Sequence, residues 1–240
     1  MSVEAASLSQ SDVVVVGIKK MIVDGELRAG DRLPVEKDLA IALGVSRGSL
    51  REGVRALSMM GVLTTKQGAG TYVTGLDPSL LMASMGFLVD LQDSAGLRQV
   101  HSVRRVLETE AVGHAALRID EAALTQAGEI LDLSELAMRS SPVDHDAVLD
   151  CDLRFHRLIA DASGNGVLSG LIEALAGKTL RTRLRRALSD EQADRIALSE
   201  HRDILRSLRL RDPDGARVRM ASHLLGVEDF AEDHPAEAQR

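Results

Sequence analysis

The chain has 240 residues, enough for two ordinary domains that bury their cores without disulfides, and its single cysteine, Cys151, has no partner within it. Hydrophobic residues make up 45% of the chain but aromatic residues only 2%, which favours packed helices over a β-sandwich. The net charge of −7, taken alone, argues against a nucleic-acid partner.

The charge is unevenly distributed along the chain. Up to Gly75 there are 9 basic and 8 acidic residues, which leaves 20 basic and 28 acidic residues for the remainder. Between Arg47 and Lys66, four basic residues accompany one acid, Glu52. A local basic patch is therefore present inside an acidic protein.

No stretch of the sequence approaches the roughly 20 uninterrupted apolar residues that a membrane helix needs. Residues 1–11 also lack the basic start and the apolar run of a secretory signal. We therefore expect a cytoplasmic protein with no membrane partner.

The N-terminal part begins with two short predicted helices. Residues 13–23 place apolar residues on one helical face and are followed by the stop signal Asp24-Gly25. After a turn, residues 35–43 show the spacing of a second helix, and Pro34 suits its first turn.

A third helix is predicted over residues 46–60. Either Ser46 or Ser49 can cap it, and Ser49 to Glu52 matches a capping box. Two short helices joined by a tight turn at Gly44 form a helix-turn-helix, whose second helix enters the major groove of DNA.

A β-hairpin is predicted next. Residues 62–66 and 71–74 are β-prone and flank the glycine-rich segment 67–70. This hairpin would be the wing of a winged helix-turn-helix.

Beyond a linker over residues 75–78 the β signals vanish. Hydrophobic periodicity and the turn-forming segments between periodic stretches predict about seven helices, near residues 78–91, 96–118, 120–139, 144–162, 166–188, 190–210 and 214–230. Their short connections predict an antiparallel all-α bundle.

The predicted fold is thus mainly α, in two domains. A flexible N-terminal segment over residues 1–11 precedes a winged helix-turn-helix domain over 12–76 and an all-helical domain over 77–240. The last residues, 234–240, are expected to be frayed.

Several spaced motifs of the N-terminal part resemble the DNA-binding domain of the GntR superfamily. They are Leu33-Pro34, Gly44-Val45-Ser46-Arg47, Leu50-Arg51-Glu52, Leu63 and the segment GAGTYV at 68–73. The chain departs from the family pattern at Val35, Lys37 and Gly48, and a glycine inside a helix costs about 1 kcal/mol relative to alanine. These departures bear on the operator sequence, while the DNA-binding role still follows from the resemblance.

The C-terminal part is similar to the FadR-type branch of that superfamily, with its helical FCD effector domain. The matching motifs are Arg104 with Glu108, Asp152 with His156, Asn165, Glu200-His201-Arg202, and His223. With the N-terminal motifs, the match covers roughly residues 12–225. It implies a ligand-responsive transcriptional repressor that works as a homodimer on a palindromic operator in double-stranded DNA.

By this resemblance, six residues occupy positions that contact DNA: Lys37, Ser46, Arg47, Ser49, Arg51 and Gly68. Arg47 and Arg51 lie four residues apart near a helix N-terminus, where a guanidinium can fork onto a guanine edge. The alternative is that both are solvated surface residues, with Arg51 paired to a local acid. Arg55, further along the helix, is expected to face the domain surface or a phosphate.

A metal site is predicted from Asp152, His156, His201 and His223. Asp152 and His156 lie at i and i+4 on one helix face, and each of the other two histidines lies 11 residues from a turn near Asp212. Three imidazoles and a carboxylate suit Zn²⁺, and also Ni²⁺ or Mn²⁺, and the matching residues of the FadR-type branch bind such a metal. The alternative is that the histidines are satisfied core residues.

Arg104 is expected to clamp the carboxylate of a small organic-acid effector beside the metal. The alternative is an exposed i, i+4 ion pair with Glu108, worth a few tenths of a kcal/mol. Asn165 is expected to satisfy a turn between two helices, and Cys151 to be an ordinary helix residue.

Two other functions compete with regulation. A metal-dependent enzyme fused to a DNA-binding module would use the open metal positions to activate water, but no carboxylate is identifiable from the sequence as its general base. A constitutive architectural DNA binder would leave the metal cluster without a purpose. We therefore expect a regulator with no catalytic residues.

Overall fold

The computed structural model describes residues 9–76, 94–176 and 192–233, together with Leu184. The chain divides into two compact units, residues 1–84 and 85–240. The domain boundary expected after Leu76 stays a prediction, because residues 77–93 lie outside the described ranges. The predicted helix over 78–91, the second half of that over 166–188 and the frayed end over 234–240 also fall outside them.

The first unit contains three helices and a hairpin within its described residues. They are α1 (Gln10–Val23), α2 (Glu36–Leu43), α3 (Arg47–Met59), β1 (Leu63–Lys66) and β2 (Gly70–Val73). The strands are antiparallel, with Leu63 opposite Val73 and Lys66 opposite Gly70. The predicted helix-turn-helix and wing are thereby confirmed.

Local signals explain where these helices begin and end. Ser46, and not Ser49, caps α3, since its Oγ accepts from the Ser49 N–H at 3.1 Å. Gly44 ends α2 in the left-handed region, at φ 66°. The expectation that Pro34 lies in the first turn of α2 is wrong, since Val35 is the N-cap and Pro34 precedes it. The segment before α2 is bound to the wing instead, where the Leu33 N–H donates to the Thr71 carbonyl at 2.8 Å.

The core of the first unit lies between α1, α3 and the hairpin. Its most buried side chains include Val14, Ile18 and Leu50. Helices α1 and α3 lie close together at Gly53, where an added Cβ would lie 2.6 Å from the Val14 Cβ. A side chain at this position would force the two helices apart.

The second unit is helical throughout its described residues. Its helices are α4 (Ser94–Arg118), α5 (Glu121–Met138), α6 (His145–Ala162), α7 (Gly166–Ala176), α8 (Ala193–Arg209) and α9 (Pro213–Asp233). Helix α4 packs on α9, α6 and α7, while α8 packs on α5 and α9. The mainly α fold predicted from the sequence is confirmed.

Small and aliphatic side chains fill the centre of this bundle. Ala115 and Ala116 of α4 are fully buried, and Phe155 of α6 is the one aromatic side chain in the main core cluster. Because alanines let helix backbones approach closely, α4 lies along α9. No described helix is long and apolar enough to cross a membrane.

Candidate metal centre and DNA-reading surface

The four predicted metal ligands meet in the second unit. One ligand atom from each of Asp152, His156, His201 and His223 lies within 4.8 Å of the others. The Nε2 atoms of His156 and His201 are 3.2 Å apart, and those of His201 and His223 are 3.1 Å apart. Asp152 Oδ1 lies 3.6 Å from His201 Nε2. The structure thus brings together all four residues that the sequence singled out.

Three helices position these side chains. Helix α6 presents Asp152 and His156 one turn apart, while α8 and α9 form an antiparallel hairpin that carries His201 and His223. The Asp212 carboxylate fixes the turn of this hairpin by accepting from the Gly215 N–H at 2.9 Å. Equal distances from that turn place the two histidines level with each other.

Two carboxylates orient the imidazoles from behind. Glu108 of α4 accepts from His156 Nδ1, and Glu200 of α8 accepts from His223 Nδ1 at 2.7 Å. Because a carboxylate only accepts, the ring proton sits on Nδ1 in both histidines, and the Nε2 lone pair points towards the other ligands. Partners of this kind set the tautomer and basicity of metal-bound histidines.

The donor set fits a divalent cation. Two imidazole nitrogens bound to one ion at about 2.1 Å, at angles near 90–110°, lie about 3.0–3.4 Å apart. The observed separations of 3.1 and 3.2 Å fall in that range. Because His156 and His223 carry their ring proton on Nδ1, only His201 could donate among the three Nε2 atoms, whereas one cation between them would satisfy all three.

A cavity of about 40 Å³ adjoins the ligands Asp152, His201 and His223. Most of its wall is apolar, from residues such as Met138, Leu149 and Val227, and the remaining wall includes the polar side chains of Ser134 and Asp194. At about 10–15 Å³ per water it has room for about three waters. The candidate metal site therefore borders a small and mostly apolar space.

Arg104 is buried beside the proposed metal ligands. It forms an ion pair with Glu108, which was the alternative to the clamp, but this pair is buried and not exposed. Arg104 Nε donates to Glu108 Oε1 at 2.8 Å, and the side chains of the two residues are 1% and 3% exposed. The other oxygen of Glu108 binds His156. Arg104, Glu108 and His156 therefore form one buried chain of contacts, and neither Arg104 nor Glu108 lines the cavity.

Asn165 and Cys151 have ordinary local surroundings. Asn165 Oδ1 accepts from the Leu168 N–H at 3.1 Å, at the start of α7. This is a turn contact of the kind expected from the sequence. Cys151 lies in α6 with a buried thiol, and burial raises the pKa of that thiol.

The residues proposed to contact DNA lie on one unit, at the start of α2, the start of α3 and the wing tip. Lys37, Ser46, Arg47, Arg51 and Gly68 are exposed, and Ser49 is half-buried beneath the cap of α3. Gly68 adopts φ 74°, in a turn closed by the Ala69 N–H and the Lys66 carbonyl at 3.0 Å.

Arg51 has a partner that the sequence did not identify. Its guanidinium donates to both carboxylate oxygens of Glu36 in α2, at 2.9–3.2 Å. The hydrogen bonds from Arg51 lower the pKa of Glu36 below its ordinary value. The local acid is therefore on the neighbouring helix, and not Glu52 beside Arg51 in the sequence.

Comparison with known families assigns both units. The model described as bacterial regulatory proteins, gntR family, matches residues 10–73, and the FCD domain model matches residues 99–226. The chain is 31% identical to the putative L-lactate dehydrogenase operon regulatory protein of Escherichia coli K12, covering 95% of this chain and 90% of that protein.

Other relatives are also named as regulators. The HTH-type transcriptional regulator LutR of Bacillus subtilis is 31% identical, over 87% of this chain and 95% of its own. The HTH-type transcriptional repressor NanR of Cronobacter sakazakii is 27% identical, over 90% of this chain and 83% of its own. Among solved structures, the GntR protein of Streptococcus agalactiae aligns with TM-score 0.66 and 26% identity, over 91% of this chain and 99% of that one.

Proposed function

The chain belongs to the GntR family of bacterial regulatory proteins and carries an FCD domain, and from this premise we propose a ligand-responsive transcriptional repressor whose helical unit binds a divalent metal and a small organic acid. It would act as a cytoplasmic homodimer on a palindromic operator. The observation that carries the proposal is the convergence of three histidine Nε2 atoms and the Asp152 carboxylate in one buried cluster.

The proposed metal ligands are Asp152, His156, His201 and His223, and the donor set favours Zn²⁺, with Ni²⁺ and Mn²⁺ as the other candidates. When bound, the metal would supply a Lewis-acidic position for an anionic oxygen. Glu108 and Glu200 hold two of the imidazoles in the orientation that this requires. Asp152, His201 and His223 also line the cavity, so the proposed metal site adjoins it.

The proposed effector is a small carboxylate whose apolar part lies against the cavity wall. Arg104 is the proposed clamp for this carboxylate, and an effector reaching it would compete with Glu108 for the same guanidinium. L-lactate is a suitable first probe, since one relative is named as an L-lactate dehydrogenase operon regulator. Arg104→Lys keeps the charge but removes the planar fork, so we expect it to retain the metal and to weaken the effector response.

The proposed DNA contacts are Lys37, Ser46, Arg47, Ser49, Arg51 and Gly68. Arg47 and Arg51 would read bases, while Lys37 and the serines would bind phosphates and the bare Gly68 would approach the minor groove. Arg47→Ala or Arg51→Ala should abolish specific binding with the fold intact, because each exposed side chain supplies contacts worth about 1–3 kcal/mol.

One experiment tests the function as a whole. Zn²⁺-loaded full chain is used to select duplexes from a random library, and its affinity for the selected duplex is then measured with and without L-lactate and other 2-hydroxy and 2-oxo acids. We expect a palindromic selected sequence and a change in affinity with at least one acid. Selection without any sequence preference would contradict the regulator, and turnover of an acid by the same sample would favour the metal-dependent enzyme.

A further inference from the structure

We propose that the groove between α3 and the wing is a seat for a backbone phosphodiester of DNA, held by Arg32, Arg55 and Lys66. This inference rests on the proposed DNA binding. It adds three contacts to the six residues that the family resemblance assigns.

The groove has a volume of about 660 Å³. Its floor includes the apolar side chains of Leu33, Leu50 and Val54. Its lining also includes cations from three parts of the unit: Arg32 before α2, Arg51 and Arg55 on α3, and Lys66 at the end of β1. The one carboxylate in the lining, Glu36, is bound by Arg51. The remaining cations give the groove an uncompensated positive charge.

These three cations lack ion pairs within the described part of the chain, although acids are close in sequence. Arg55 lies three residues after Glu52 on α3, and no ion pair joins the two. Several arginines of the second unit do pair with acids, as in Arg157 with Glu173 at 3.0 Å. A cation that a neighbouring acid does not neutralise is available to an external anion.

Two of the cations are held in place by the wing itself. The ammonium of Lys66 lies over the Tyr72 ring, 5.2 Å from its centroid, a cation–π contact that leaves its N–H donors for an acceptor. The guanidinium of Arg32 lies against the bare backbone of Gly70, where an added Cβ would be 2.6 Å from Arg32 Nε. Such positioning lowers the entropy lost when an anion binds.

The position of the groove selects a phosphodiester among anions. In a winged helix-turn-helix, α3 enters the major groove and the wing tip approaches the adjacent minor groove. The two grooves of DNA are separated by one sugar–phosphate backbone, which must therefore pass between α3 and the wing. That is the path along which Arg32, Arg55 and Lys66 lie.

The test separates backbone contacts from base reading. Arg32→Gln, Arg55→Gln and Lys66→Gln are made in the full chain, with Arg28→Gln as the control, because Arg28 is an exposed cation of the same unit outside the groove. Kd is measured for the selected duplex and for a scrambled duplex of equal length, between 50 and 200 mM salt.

Each groove variant should weaken both duplexes by the same factor. The slope of log K against log salt should become shallower by about 0.9, so that the rise in Kd over this salt range is about threefold smaller than for the wild type. Arg28→Gln should leave the slope close to that of the wild type. Arg47→Ala, in contrast, should lose the selected duplex and keep most of its scrambled-duplex affinity.

Three results would contradict the proposed phosphodiester site. Unchanged slopes in the groove variants would show that no phosphate is bound there. An equal change in Arg28→Gln would show that net charge alone is responsible. If the groove variants keep the wild-type slope but lose the wild type's binding to a poly-glutamate peptide, the groove would be assigned to an acidic protein segment. Absence of DNA binding by the wild type would instead overturn the proposed function itself, so the two failures are distinguishable.

Discussion

The two units place their charged functional groups in opposite environments. In the first unit, the cations near the start of α3 and the wing are exposed, and Arg47, Arg55 and Lys66 have no ion pair among the described residues. In the second unit, Arg104, Glu108 and the three histidines of the metal cluster are buried. A surface that binds an external polyanion needs free cations, whereas a small site inside a bundle must satisfy every charge internally.

This contrast predicts how sequence changes act in each unit. Substituting a cation of the first unit that is proposed to contact DNA should alter DNA binding with little effect on folding. In the second unit, the groups proposed to bind ligand also occupy the core, so a substitution should alter stability and ligand binding together. Three experiments follow, from the largest expected effect on stability to the smallest.

The largest effect is expected for Glu108→Ala. Removing this carboxylate breaks the buried ion pair with Arg104 and should destabilise the metal-free protein by about 3–5 kcal/mol. Denaturant unfolding with chelator present measures this. Asp150→Ala is the control, since it breaks the exposed pair with Arg154 and should cost about 0–1 kcal/mol. Similar costs for the two variants would remove the distinction between the buried and exposed charges.

An intermediate effect is expected from paired glycine substitutions in α3. Gly53→Ala should destabilise the first unit by about 1–3 kcal/mol, because the new Cβ meets Val14 at 2.6 Å. Gly48→Ala, on the exposed side, meets only Ser46 Oγ at 3.7 Å and should stabilise the helix by up to about 1 kcal/mol. Thermal melting of both variants shows whether each substitution raises or lowers the stability of the chain. Destabilisation by Gly48→Ala would contradict an open DNA-facing side.

The smallest effect on stability is expected for Glu36→Gln, since the pair with Arg51 is exposed. The pKa of Glu36 is lowered in the folded chain, so the pair stabilises the fold fully above the ordinary carboxyl pKa. That contribution is lost as the pH falls through the lowered value. Unfolding curves of wild type and variant should therefore differ slightly at pH 7 and converge in acid. A difference that grows in acid would contradict this pairing.

The sequence predicted the parts of the molecule that depend on local signals. Gly44 and Ser46 marked the turn of the helix-turn-helix, and the punctuation around Asn165 and Asp212 separated the helices of the bundle. The proposed metal ligands were identified through the resemblance to the FadR-type branch. Local geometry supports them, because Asp152 and His156 share a helix face and His201 and His223 are equidistant from a turn.

Apart from the proposed metal ligands, contacts between distant elements were not predicted. Glu108 binds His156 from 48 residues away, and Glu36 binds Arg51 from another helix. Periodicity within one helix gives no register between helices, so neither partner was identifiable. The sequence did indicate that Arg104 is buried, because the apolar residues Val100, Leu107 and Ala111 lie on the same face of α4 as Arg104.

The most direct test of the proposed metal site is the melting temperature of the full chain as Zn²⁺ is added back after chelation. A metal that binds only the folded state stabilises it by RT ln(1 + [L]/Kd), about 2.7 kcal/mol at 100 times Kd. The account predicts a saturable rise at one Zn²⁺ per chain in the wild type and no rise in His201→Ala or His223→Ala. A wild-type melting temperature that does not respond to Zn²⁺, Ni²⁺ or Mn²⁺ would contradict it and leave the four residues with a structural role.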